Sequence, residues 1–131
     1  MISTRGRYAL RIMTDIALTQ GDGYVPMKDV AARQGLSLKY LEQILPPLTR
    51  NGLLTGLQGK GGGYRLTREP EEYKISEILT LTEKELEPVS CLVKGAPECE
   101  RRQECKTIVF WEGLDRVVKD YLDSKTLRDL M

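Results

Sequence analysis

The sequence predicts a mainly α-helical fold carrying one small β-hairpin. Three observations lead there. Apolar residues recur at helical spacing in three stretches of the first 51 residues, two short β-prone runs flank a glycine cluster at 59–63, and a long, doubly striped segment lies near the C-terminus. A chain of 131 residues has room for one compact domain with a docked appendage.

The first helix is expected from Thr4 to about Thr19, where Tyr8, Ala9, Ile12, Met13, Ile16, Ala17 and Leu18 fall on helical spacing and Thr4 stands as N-cap. Gly21-Asp22-Gly23 breaks it. Val25-Pro26 then leads into a short second helix, Met27 to Gln34, with Met27, Val30 and Ala31 on one face and Gly35 at its end. Ser37 is placed to cap a third helix reaching about Asn51, with Leu38, Leu41, Ile44, Leu45 and Leu48 directed inward and Gly52 closing it. Pro46-Pro47 remove two backbone donors, so this helix is expected to bend or stop in its last turns. Leu53 to Gln58 and Tyr64 to Thr67 read as strands joined by Gly59-Lys60-Gly61-Gly62-Gly63. Helix, short helix, tight turn, helix and glycine-tipped hairpin is the order of a winged helix-turn-helix over residues 1–67. In that arrangement the third helix enters the DNA major groove and the hairpin reaches adjacent backbone or minor groove.

Residues 68–90 are acidic and are expected to lead out of that unit, with a short helix near Ser76 to Glu83 carrying Ile78, Leu79 and Leu81. Residues 91–105 form a loop holding all three cysteines, and 106–131 a long helix and tail. From about Cys105 to Leu122 one stripe holds Phe110, Leu114, Val117 and Tyr121 and an adjoining one Trp111, Val118 and Leu122. One small neighbour does not cover that much apolar surface. One stripe is expected to dock on the first helix and the other to pair with a second copy, making this the dimerisation helix of a two-fold homodimer.

The net charge of +1 hides an asymmetry: residues 1–66 hold nine Lys/Arg against four Asp/Glu, and residues 67–131 eleven against fifteen. Phosphates respond to the local field, so the basic half is the candidate face for nucleic acid. Histidine is absent, which removes Ser-His-Asp and Cys-His catalysis and imidazole metal ligands; no enzyme is indicated. The glycine cluster fails as a P-loop, because Leu54 stands where the first glycine belongs and Gly61 where a Ser or Thr would hold magnesium. No membrane span or signal segment is legible, and a cytoplasmic location without membrane association is expected.

On the third helix Lys39, Tyr40, Glu42 and Gln43 face away from the apolar stripe, with Ser37 at its start. Gln pairs with adenine, Glu accepts from cytosine N4, and Ser, Lys and Tyr bind phosphate or bases. In the wing, Gln58 and Lys60 are placed to touch phosphate or minor-groove edges, while Arg65 reads as a phosphate contact or a plain surface charge.

The cysteines are spaced Cys91-x7-Cys99-x5-Cys105. They lack the paired spacing and the fourth ligand of a zinc ribbon. Three thiols flanked by Lys94, Arg101, Arg102 and Lys106 suit an iron-sulfur cluster with one ligand from elsewhere, a reversible thiol sensor, or incidental cysteines. A small electron carrier is a further alternative.

The segments STRGRYALRIM, LSLKYLEQIL and NGLLTGLQGKGGGYRL, followed by the three-cysteine loop and a helix starting near IVFWEGL, resemble a family of bacterial winged helix-turn-helix repressors. That family includes the iron-sulfur cluster regulator IscR, the nitric-oxide sensor NsrR and the cysteine-metabolism regulator CymR. The resemblance implies a homodimer with crossed long helices, palindromic double-stranded promoter DNA as partner, and a cluster, two-iron in preference to four-iron, on Cys91, Cys99 and Cys105. Where it would supply a histidine after the last cysteine this chain has Ile108, and where it would supply an acidic ligand from the first helix it has Tyr8. That leaves Glu98, Glu100, Glu104 or an external ligand for the fourth position. The implied function is a cluster-sensing repressor of iron-sulfur biogenesis or related genes, the alternative being a cluster-free sensor of thiol redox state or of a ligand, controlling sulfur metabolism.

Overall fold

The computed structural model describes residues 1–131, and its first helix, α1, runs Thr4–Thr19. The cap is Ser3, one residue earlier than expected: its Oγ accepts from the Gly6 N–H at 3.4 Å. Its own N–H and hydroxyl donate to Glu83 Oε1 at 2.8 and 2.9 Å, a partner distant in sequence that local spacing does not reveal. Helix α2 spans Met27–Gln34 and ends at Gly35.

Helix α3, Leu38–Arg50, is capped by Ser37, whose Oγ accepts from Tyr40 N–H at 3.1 Å. Pro46 and Pro47 do not stop it, contrary to expectation. The carbonyls they leave without donors belong to Glu42 and Gln43, which are exposed, so water can serve them. Downstream, the Thr49 hydroxyl donates to Leu45 O at 3.2 Å and the Asn51 amide to Pro47 O at 2.7 Å, completing the last turn. Leu41, Ile44, Leu45 and Leu48 are buried, but Leu38 is 45% exposed. It sits in the first turn, beyond the reach of the core.

Strands β1, Leu54–Leu57, and β2, Gly63–Leu66, pair antiparallel from Leu54↔Leu66 to Leu57↔Gly63. Val25 adds a one-residue third rung, giving its N–H to Tyr64 O at 2.8 Å and accepting from Tyr64 N–H at 2.9 Å. A Cβ at Gly63 would overlap the Val25 carbonyl, so this close approach demands glycine.

The core joins Ile12, Met13 and Ile16 of α1, Val30 of α2 and the buried leucines of α3 to Tyr73, Ile78 and Leu127. Tyr73 and Ile78 lie in the stretch expected to lead away. Instead α4, Ile75–Thr82, packs on α1, and the buried Tyr73 hydroxyl donates to Leu53 O at 2.8 Å while accepting from the N–H groups of Thr67 at 2.9 Å and Arg68 at 3.1 Å. Helix α5, Ile108–Ser124, packs on α4 rather than on α1, whose apolar face α4 has already taken. Trp111, Leu114, Val118 and Leu122 are half-buried, whereas Phe110, Val117 and Tyr121 are 61–65% exposed. The tail then returns: Ile75 N–H donates to Lys125 O and Leu127 N–H to Tyr73 O, both at 2.9 Å, and Leu127 is fully buried. No helix is long and apolar enough to cross a membrane.

Candidate nucleic-acid interface and cysteine loop

Lys39, Glu42 and Gln43 are exposed on α3, as the period of the helix requires. Tyr40 is not free in the same way. It is half-buried, edge-on to Tyr8 of α1 with ring centroids 5.4 Å apart. Arg11 lies 5.1 Å from the Tyr8 ring and donates to the Gln34 side chain at 3.1 Å and to its carbonyl. This chain of contacts ties α1, α2 and α3 together where α3 begins, and the interval between Tyr8 and Tyr40 hides it from periodicity.

A second brace lies deeper. The buried Asp15 carboxylate accepts from Arg33 at 2.6 Å and from the Gln34 amide at 2.8 Å. Burial disfavours its charge, but those hydrogen bonds and the Arg33 charge outweigh it, and Asp15 titrates below the usual carboxylate range.

Gln58 and Lys60 are exposed at the wing tip, where Gly59 has φ +88°. Arg65 turns back instead, donating to Asp22 O at 3.3 Å with its guanidinium 5.6 Å from the Tyr24 ring. Between α3 and the wing runs a groove of about 460 Å³, lined by Leu38, Glu42 and Pro46, by Lys28 of α2 and by Leu57 and Gly62 of the hairpin.

Cys91 and Cys105 are half-buried, Cys99 is exposed, and all three are free thiols. They are not brought together: no three Cys, Asp or Glu side chains converge to hold a metal, and Glu98, Glu100 and Glu104 are exposed. The donors suit a soft metal or an iron-sulfur cluster in kind, but the loop as folded does not gather them. Cys105 is chemically distinct. The Thr107 hydroxyl 3.5 Å away, the N–H groups of Thr107 and Ile108 at the start of α5, and the Arg102 charge lower its pKa below the ordinary thiol value. Arg102 also pairs with Glu112 of α5 at 2.9 Å, so this end of the loop is fastened to the helix.

A capped helix bearing polar side chains beside a glycine-tipped wing defines a winged-helix DNA-binding regulator. The family model described as Rrf2, iron-dependent transcriptional regulator, matches residues 2–131, and the chain belongs to that family. Its members are transcriptional regulators and not enzymes. The HTH-type transcriptional regulator IscR of Erwinia tasmaniensis is 35% identical over 130 residues, covering 99% of this chain and 78% of that protein. Among solved structures, CymR, the global cysteine regulator of B. subtilis, superposes with a TM-score of 0.80 at 35% identity, over 99% of this chain and 95% of that one. T. potens IscR gives 0.75 at 33%, over 99% and 85%.

Proposed function

We propose that the chain is a cytoplasmic, homodimeric repressor that reads palindromic promoter DNA and takes its input through the cysteine loop. Residues 1–67 supply the reader: Ser37, Lys39, Tyr40, Glu42 and Gln43 on α3 meet the major groove, and Gln58 and Lys60 of the wing meet the adjacent backbone or minor groove. The observation that carries this reading is the exposure of Lys39, Glu42 and Gln43 on a side-chain-capped helix next to a preformed wing. Residues 106–131 supply the pairing surface. The exposed Phe110, Val117 and Tyr121 are apolar area that a second copy would remove from water.

For the input, residues 91–105 are read as the anchor of an iron-sulfur cluster, two-iron in preference to four-iron, held by Cys91, Cys99 and Cys105, with iron-sulfur biogenesis or related redox and iron genes as targets. The likeness to IscR and the three thiols on one loop support this. Bound there, a cluster would supply an iron- and redox-dependent state of the loop. A cluster-free reading, thiol oxidation controlling sulfur or cysteine genes, is favoured by one observation: the Thr107 hydroxyl lies 3.5 Å from the Cys105 thiol and lowers its pKa, as a reactive thiol needs. The likeness to CymR points the same way.

Anaerobic purification followed by iron and acid-labile sulfide counts and absorption spectroscopy separates the two. Near-stoichiometric iron and sulfide, lost in the triple Cys→Ser variant, is the expected result; colourless protein whose DNA binding still responds to peroxide selects thiol oxidation. For the reader, Glu42→Ala is expected to relax site preference. An acidic side chain at a DNA surface discriminates more than it attracts. Unchanged selectivity across altered sites would contradict the role given to Glu42.

A further inference from the structure

The periodicity of α3 assigns Leu38 to the core, yet the structure leaves it 45% exposed in the first helical turn, directly after the Ser37 cap. Its neighbours there are Lys39 and, one turn on, Glu42. It shares the groove between α3 and the wing with Lys28 and with Leu57, itself 49% exposed. Nearly half of its surface stays open to solvent. Leu38 thus offers apolar area from the part of a recognition helix whose side chains reach base edges.

One major-groove feature matches an aliphatic side chain. Guanine, adenine and cytosine present hydrogen-bonding atoms there, whereas thymine adds a C5-methyl group. We propose that Leu38 is a specificity-determining residue that packs against a thymine methyl in each half-site, beside the position read by Glu42. This rests on the DNA-binding reading above and deepens it. Within the pair, Glu42 rewards a cytosine donor while Leu38 rewards a methyl, so α3 distinguishes the two pyrimidines through adjacent side chains on one face. Phosphate contacts are insensitive to base identity, whereas the leucine adds sequence information without charge.

The test uses the full-length protein and a duplex enriched by it from a random-sequence library. Each thymine of that duplex is replaced in turn by uracil, which removes only the methyl group, and binding is followed by fluorescence anisotropy at fixed salt. Wild type is expected to lose roughly fourfold in affinity at one thymine per half-site, the value of burying one methyl-sized group. Leu38→Met, which keeps an apolar contact, should retain most of that discrimination. Leu38→Ala should bind the thymine and uracil duplexes equally and keep its fold, because alanine is a strong helix former. If Leu38→Ala discriminates as wild type does, or if wild type is indifferent at every thymine, the assignment of Leu38 is wrong while DNA reading stands. Failure to enrich any duplex would instead remove the DNA-binding reading itself.

Discussion

The proposed reader and the proposed input loop are built differently. The reader is held by a continuous core, by the Asp15–Arg33–Gln34 brace between α1 and α2, and by the Tyr73 hydroxyl at the base of the wing. The cysteine loop between α4 and α5 holds one short 3-10 turn at Ser90–Leu92, exposes most of its residues, and is fastened to α5 by two ion pairs, Glu87–Lys119 at 3.3 Å and Arg102–Glu112 at 2.9 Å. A reading surface must be rigid to hold base-edge geometry, whereas an input element must be able to change. Folding free energy has been placed in the first and withheld from the second.

Mutations should expose that contrast most strongly in the core. Leu48→Ala removes a fully buried side chain of α3 and is expected to cost about 3 kcal/mol in urea denaturation. Tyr73→Phe keeps the ring but strips Leu53 O and the N–H groups of Thr67 and Arg68 of their shared partner, which should cost about 2 kcal/mol and raise amide exchange in the wing first. A loss confined to global stability, with wing exchange unaltered, would break the link drawn between Tyr73 and the hairpin.

Acid should act on the brace. The folded-state pKa of Asp15 is depressed, so its contribution is complete above the unfolded carboxylate value of about 4 and is lost as pH falls below it. The urea midpoint should drop as pH falls below about 4, and less steeply in Asp15→Asn. Smallest is the effect at the loop. Replacing the exposed Cys99 by serine should change the stability of iron-free protein by less than about 0.5 kcal/mol, as at exposed sites generally. The loop's signature is kinetic. Cys105, with its lowered pKa, should be alkylated by iodoacetamide faster than Cys99 at neutral pH, as read by peptide mass spectrometry.

Most of the reader was legible because its elements are amphipathic and locally punctuated: Ser37, Gly35 and the glycine-rich wing mark their own boundaries. Ser3 rather than Thr4 caps α1 because of Glu83, α3 survives two prolines because the orphaned carbonyls belong to exposed residues, and α5 meets α4 because α4 already covers α1. The first and third depend on partners distant in sequence, which local spacing does not encode, and the second on solvent at two exposed residues. Leu38 failed differently, since periodicity names a face but not how far the core extends along it. Tyr73 lies outside any periodic run and left no signal. Of the site, the outward residues of α3 and the wing tip were readable, but the Tyr8–Tyr40 contact was not, and cysteine spacing alone does not say whether three thiols meet.

The most direct test compares wild type with the triple Cys→Ser variant on one library-enriched duplex, each iron-free and then after anaerobic treatment with iron and sulfide. With a preformed reader and a separate input loop, the iron-free proteins should bind within about twofold of one another, as expected for distant, independent sites, and only wild type should change affinity or site preference on treatment. A variant that loses DNA binding, or that responds to treatment as wild type does, would contradict that division of labour.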